Sequence, residues 1–154
     1  MSLATLKEVL EIAERTNTAI PGFNIDNIEI PEAIMEAAEV ENCPVILTIG
    51  QGAINAGGLR HLPDVVRRIA ESSSVPVVMH LDHSESYEQV IACLRAGFTS
   101  VMYDGSHYPF EENVRESQAV VRAAHAWACL WNASWAPSPV WRTGFPTATQ
   151  IWWT

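Results

Sequence analysis

Several residues that could move protons or hold a metal ion follow apolar runs of the sequence. Asn24 lies near the end of one such run, Gln51 and Asp104 follow two others, and Asp82 and His83 follow a fourth as a consecutive pair. Imidazole and carboxylate side chains are the groups that proteins use for acid–base chemistry and for binding zinc. An adjacent Asp-His pair is also a common structural hydrogen-bonded pair, so the residue types leave both interpretations open.

The apolar runs before these residues predict strands, and helical patterns lie between them. The runs are rich in β-branched residues and read as buried strands. They cover residues 19–25, 44–49, 75–81 and 98–103. Five helices are predicted. The first covers 5–16 and begins with a Thr5–Glu8 capping box, the second follows a cap at Asn27, the third lies around 62–69, the fourth follows a cap at Ser84, and the fifth covers 109–126. A glycine-rich loop is predicted at 50–58.

Strict alternation of strands and helices predicts an α/β fold with a parallel sheet. Two architectures fit this order, a doubly wound sheet and part of a (β/α)8 barrel. A whole barrel usually needs about 250 residues, so a chain of 154 residues could supply about half of one. In either case the polar residues gather at the carboxyl ends of the strands, where α/β proteins place their sites.

Four blocks of the sequence resemble the class II aldolases, which include fructose- and tagatose-bisphosphate aldolases. They are PGFN at 21–24, PVIL at 44–47, HLDH at 80–83 and GFTSVMYDGSH at 97–107. The resemblance is continuous over residues 1–126. It implies a partial TIM barrel of four N-terminal βα units preceded by a helix.

The resemblance also implies roles for single residues. His83 matches a zinc ligand, and Asp82 matches the carboxylate that moves a proton when the carbon–carbon bond breaks. Asp104 matches a carboxylate near the metal, and Asn24 matches a residue on the substrate side. We add Gln51, at the end of the second strand, as a substrate-binding residue. The implied reaction is zinc-assisted, reversible cleavage of a phosphorylated ketose to dihydroxyacetone phosphate and an aldehyde.

The other histidines are assigned by their positions in the predicted elements. His80 is predicted to pack inside the sheet, whereas His61 and His125 are predicted on the surface; the role of His107 stays open. The chain departs from the family at Ser84, where glycine is usual, and at Gly50, where serine is common. Both departures concern loop shape and substrate contacts.

The composition argues against other classes of function. A formal net charge of −9 disfavours nucleic acid as a partner, and no apolar run reaches the roughly 18 residues of a membrane helix. No secretory signal is recognisable at residues 1–15, and three cysteines without a CxxC pair suit a reducing compartment, so we expect a cytoplasmic protein. The only lysine, Lys7, lies on the first, solvated helix, which argues against a Schiff base.

The composition changes abruptly near residue 126. All six tryptophans lie at or after Trp127, whereas all 18 acidic residues lie before it. If the coding DNA is shifted so that codons start on the third base, Trp127-Ala128 reads as Gly and Trp131-Asn132 as Glu. The shifted frame can give the G-V-x-V-E-x-E-L-G segment that continues the family. We therefore expect residues 127–154 to be a frameshifted, non-native tail.

The family takes two further zinc-ligand histidines from its second half, and residues 127–154 offer no counterpart. We expect this chain to lack a complete site and to be inactive alone. We also expect the fourth strand to have an unpaired edge that promotes self-association or aggregation. One alternative is a non-catalytic binding or regulatory half-barrel module. Another is an enzyme that completes its site by pairing half-barrels.

Overall fold

The structure is a computed structural model that describes residues 3–127, 129–134 and 151–152. One sheet runs through it with its strands in sequence order, and β1 to β5 are parallel whereas β6 is antiparallel to β5. The strands are β1 (Gly22–Asn24), β2 (Val45–Gly50), β3 (Val77–Ser84), β4 (Ser100–Asp104), β5 (Leu130–Ser134) and β6 (Ile151–Trp152).

Helices connect the parallel strands, as the alternating pattern predicts. They are α1 (Leu6–Thr16), α2 (Ile30–Val40), α3 (Gln51–Asn55), α4 (Leu62–Ser72), α5 (Tyr87–Arg95) and α6 (Phe110–Ala126), with a short 3-10 turn at Gly58–Arg60. The predicted α/β fold, with four βα units after an initial helix, is confirmed.

Local hydrogen bonds explain where the first two helices begin. At α1, the Thr5 hydroxyl accepts a hydrogen bond from the Glu8 amide at 3.3 Å, and the Thr5 amide donates to the Glu8 carboxylate at 2.7 Å. This reciprocal pair is the predicted capping box. Before α2, the Asn27 side-chain oxygen accepts from the amides of Glu29 and Ile30. Both arrangements satisfy amide groups that a helix start leaves without partners.

The two faces of the sheet pack against different elements. On the outer face, side chains of β2, β3 and β4 form one buried cluster with α2, α4, α5 and α6. On the inner face, Leu6 and Val9 of α1 pack on Val78 and against Ile46. Helix α1 therefore covers the amino-terminal end of the inner face, and the carboxyl ends of the strands stay open for a site.

Two local predictions in this region are wrong. Ser84 does not cap α5, because β3 extends through it and Ser84 pairs with Tyr103 of β4. The cap is Ser86, whose side chain accepts from the Gln89 amide. The segment at 50–58 is not an open loop, because α3 begins directly after β2.

The expectation of an unpaired edge on the fourth strand is also wrong. Strand β5 pairs in parallel with β4 from Ser100↔Leu130 to Asp104↔Ser134. The described part of the predicted tail thus adds a strand where a fifth barrel strand belongs. Residues 128, 135–150 and 153–154, the rest of that tail, lie outside the described residues.

Candidate active site

Asp82, His83 and Asp104 meet where β3 and β4 end. Pairing between these strands shifts between Leu81 and Ser84, so β3 carries one extra residue, a β-bulge. His83 lies in the bulge with φ of 50°, in the left-handed region. Consecutive side chains of a regular strand point to opposite faces. The bulge breaks this alternation, which explains how Asp82 and His83 reach the same site.

The ring of His83 lies between two carboxylates. Its Nδ1 is 2.8 Å from Oδ2 of Asp104, and its Nε2 is 3.7 Å from Oδ1 of Asp82. Asp104 also accepts a hydrogen bond from the Ser106 amide at 3.1 Å. An ionised Asp104 needs a proton on Nδ1, so the neutral imidazole presents an unprotonated Nε2 toward Asp82. A carboxylate that fixes the second nitrogen in this way is typical of a metal-binding histidine.

The surroundings shift the pKa values of Asp82 and Asp104 in opposite directions. Partial burial raises the pKa of Asp82, the negative charge of Asp104 adds to the rise, and the charge of His83 opposes it. Burial also acts to raise the pKa of Asp104, but hydrogen bonds from His83 and Ser106 outweigh it, so this pKa is lowered. The surroundings therefore favour the ionised form of Asp104 and the protonated form of Asp82.

The same contacts favour a positive His83. Its pKa is raised first by the hydrogen bond to Asp104 and further by the charges of both carboxylates, although burial acts against the rise. A site that stabilises positive charge at this ring position also suits a cation bound at Nε2.

The inner face carries a row of polar residues below this site. Backbone register aligns Asn24, Thr48, His80 and Ser100 across β1 to β4. His80 is buried, as predicted, with Nδ1 2.8 Å from the Ser100 hydroxyl. Burial, and then the charge of His83, lowers the pKa of His80 to about 4. Sequence reasoning missed Thr48 and Ser100, although polar residues at alternate positions in apolar strands are a usable signal.

The predicted substrate residues lie at the same end of the sheet. Asn24 is exposed and ends β1 at one end of the polar row. Gln51 begins α3 immediately after Gly50, which pairs with Asp82. Its Oε1 is buried and has no hydrogen-bond partner among the described residues. An unsatisfied buried oxygen is costly in a folded protein, so Gln51 stays a candidate for contact with a substrate.

The remaining candidates lie away from this site or on the surface. His61, His107 and His125 are exposed. The side chain of Lys7 is 62% exposed and lies 4.0 Å from Glu11, as expected for a lysine with no Schiff-base role. Among the helices that the structure describes, none is long and apolar enough to span a bilayer.

Zinc fits this arrangement only in part. His83 offers one nitrogen with its partner already in place, but the described residues contain no cluster of three or more His, Cys, Asp or Glu side chains able to hold a metal. Catalytic zinc sites use three protein ligands and keep one position open. The described part of the chain therefore holds one portion of such a site.

Comparison with known sequences decides the family. The sequence model described as fructose-bisphosphate aldolase class-II matches residues 4–132. The chain belongs to this family. The fructose-bisphosphate aldolase of Geobacillus stearothermophilus is 48% identical over 129 residues, which cover 82% of this chain and 45% of that aldolase. The aldolase of Thermus caldophilus is 49% identical over 124 residues, covering 80% of this chain and 40% of its own length.

Solved aldolase structures confirm the partial barrel. The YdjI aldolase from Escherichia coli K12 matches with a TM-score of 0.79 and 30% identity, over 85% of this chain and 51% of that aldolase. The chain thus spans about half the length of the aldolases that it matches. The family match continues to residue 132, past the boundary predicted at 126.

Proposed function

We propose that this chain carries the proton-transfer residue and the first metal ligand of a cytoplasmic class II ketose-bisphosphate aldolase. The parent reaction is the reversible cleavage of fructose- or tagatose-bisphosphate to dihydroxyacetone phosphate and an aldehyde. The observation that supports this most is the position of the His83 ring, bonded to Asp104 through Nδ1 and facing Asp82 through Nε2. The family match gives this arrangement its chemical context.

In this proposal His83 binds zinc through Nε2, and Asp104 orients the ring. Zinc, when bound, stabilises negative charge on the substrate oxygens. Asp82 accepts the proton of the substrate hydroxyl as the carbon–carbon bond breaks. The bonding electron pair passes to the fragment that carries the ketone, and that fragment then takes up a proton to become dihydroxyacetone phosphate. The raised pKa of Asp82 makes this carboxylate a stronger base, which suits a group that must accept and return a proton. Asn24 and Gln51 are the proposed substrate contacts.

The chain alone is proposed to be inactive. His83 is the one imidazole at this site among the described residues, and a single histidine leaves a catalytic zinc without two of its three protein ligands.

A chimaera tests the chemistry separately from the missing half. Residues 4–126 of this chain replace the matching segment of the Geobacillus stearothermophilus aldolase, and cleavage of fructose 1,6-bisphosphate is measured with zinc present. We expect an active chimaera, and Asp82→Asn to lower kcat by about 100-fold or more. Asp64→Asn, the same change at an exposed position on α4, serves as the control. An Asp82→Asn chimaera with full activity would refute the proposed role.

We also propose that the chain is read in a shifted frame beyond residue 126. The change in composition supports this, since no acidic residue follows Glu116 and all six tryptophans lie at or after Trp127. Resequencing the coding DNA from codon 115 to well beyond codon 154 is the direct test. A one-base shift should open a frame that encodes V-E-x-E-L-G followed by further histidines. If the original frame is confirmed and no shifted frame encodes these residues, then residues 127–154 are a genuine part of the protein, and the proposal is wrong.

A further inference from the structure

The turn that follows β4 holds the Asp104 carboxylate by both of its oxygens. Oδ1 accepts a hydrogen bond from the Ser106 amide at 3.1 Å, and Oδ2 lies 2.8 Å from Nδ1 of His83. The Ser106 hydroxyl also donates a hydrogen bond to this carboxylate. Because the Asp104 side chain is only 15% exposed, water has little access to replace these donors. Ser106 therefore holds Asp104 through its main chain and its side chain together.

Close packing behind the turn determines where Ser106 lies. Gly105 is buried, and a Cβ at this residue would overlap the side chains of Asn113 and Tyr103. The Gly105 carbonyl accepts a hydrogen bond from the Tyr108 amide at 3.0 Å, which closes the turn. Asn113 is itself buried at the start of α6. The turn is thus packed between β4 and α6, and Ser106 is held next to Asp104 before any metal or substrate binds.

We propose that Ser106 is a positioning residue that acts on the ring of His83 through Asp104. This role depends on the proposed function, in which zinc binds the unprotonated Nε2 of His83. The proton stays on Nδ1 as long as Oδ2 of Asp104 faces that nitrogen. The two donors of Ser106 oppose rotation of the carboxylate away from the ring, and so they keep Nε2 available to a metal. Removing an outer partner of a metal-binding histidine typically lowers metal affinity by about 10- to 100-fold.

The position of the ring proton can be measured in the full chain without metal. NMR of the ring nitrogens distinguishes a proton on Nδ1 from one on Nε2, and His83→Gln identifies the signals of this ring. At a pH where the ring is neutral, we expect the unaltered chain to carry the proton mainly on Nδ1. Ser106→Ala should lower the ratio of the Nδ1–H form to the Nε2–H form by roughly 5-fold, because a hydrogen bond to a charged group is lost.

Three further variants control this measurement. Ser106→Thr keeps the hydroxyl and should keep the ratio, and the backbone of Ser106 accepts a β-branched residue because it lies outside the left-handed region. Ser72→Ala removes an exposed hydroxyl that bonds to backbone carbonyls of α4, and it should change nothing. In Asp104→Ala, which lacks the acceptor, adding Ser106→Ala should have no further effect on the ratio. The proposal is overturned if Ser106→Ala leaves the ratio unchanged, or if it changes the ratio without Asp104.

Zinc affinity gives a second readout in the chimaera described above. Competition with a chelating dye should show affinity about 10-fold weaker in Ser106→Ala, and unaltered in Ser106→Thr and Ser72→Ala. Equal zinc affinity in Ser106→Ala and the unaltered chimaera overturns the proposal. An inactive chimaera in which Ser106→Ala changes both the ring proton and the zinc affinity contradicts only the proposed function. A ring proton already on Nε2 of His83 in the unaltered chain contradicts both.

Discussion

Acidification should destabilise the fold through His80. In the folded chain this ring is buried beside Ser100, and its pKa is lowered from the ordinary 6.5 to about 4. Between these values the unfolded chain binds a proton at His80 that the folded chain does not. Stability contributed by the neutral ring is therefore present above pH 6.5 and is lost as the pH falls toward 4.

The size of the effect follows from the two pKa values. Linkage predicts that the free energy of unfolding falls by about 2 kcal/mol between pH 7 and pH 5 through His80 alone. Asp82, His83 and Asp104 also titrate differently on folding, so the total pH dependence of the chain is not a clean measure. The difference between the chain and a His80→Gln variant isolates the contribution, because glutamine retains hydrogen-bonding capacity but does not titrate.

Urea denaturation followed by circular dichroism at pH 7 and pH 5 measures the four free energies required. We expect His80→Gln to lose about 2 kcal/mol less than the unaltered chain over this interval. The control is His61→Gln, which makes the same change at an exposed position and should leave the loss unaltered. Equal losses in His80→Gln and the unaltered chain would show that His80 is not held neutral in the folded protein.

Three further substitutions test features of the site and the fold. Asp104→Asn removes the main cause of the raised pKa of His83, so NMR titration of that ring should shift to lower pH; an unchanged titration contradicts the geometry. Gly105→Ala places a Cβ against the side chain of Asn113, and urea denaturation should show a loss of about 1–3 kcal/mol. Thr5→Ala removes the capping box and should cost about 1 kcal/mol by the same assay, whereas Thr5→Ser should retain most of that stability.

The order of elements could be predicted because each class has a distinct pattern. The strands before Gln51 and Asp82 are mainly apolar runs, each with one polar residue, Thr48 or His80. Helix α1 begins at a capping box that Thr5 and Glu8 reveal. The site could be located because its residues lie at or just after the carboxyl ends of strands, where a parallel sheet brings them together. His83 and Asp104 are 21 positions apart, and the 2.8 Å contact between them follows from adjacent parallel strands.

The remaining features depend on pairing between strands, which a single chain pattern does not show. The one-residue bulge at His83 cannot be recognised from the pattern of apolar residues that precede it in β3. Its effect on register extends β3 through Ser84 and moves the helix cap to Ser86. Both residues are serines before the same helix, so composition alone could not choose between them. Strand β5 was hidden by tryptophan-rich composition, and its pairing with β4 becomes visible only in three dimensions.

The left-handed backbone at His83 restricts which amino acids can occupy that position. Apart from glycine, asparagine, aspartate and histidine adopt this region most readily, whereas β-branched residues are strained there. Of the side chains that commonly bind zinc, histidine and aspartate belong to this group. The backbone conformation in the bulge thus limits which metal-binding side chains can occupy position 83. Engineering a different metal preference at this position would require a change in strand register as well as a new side chain.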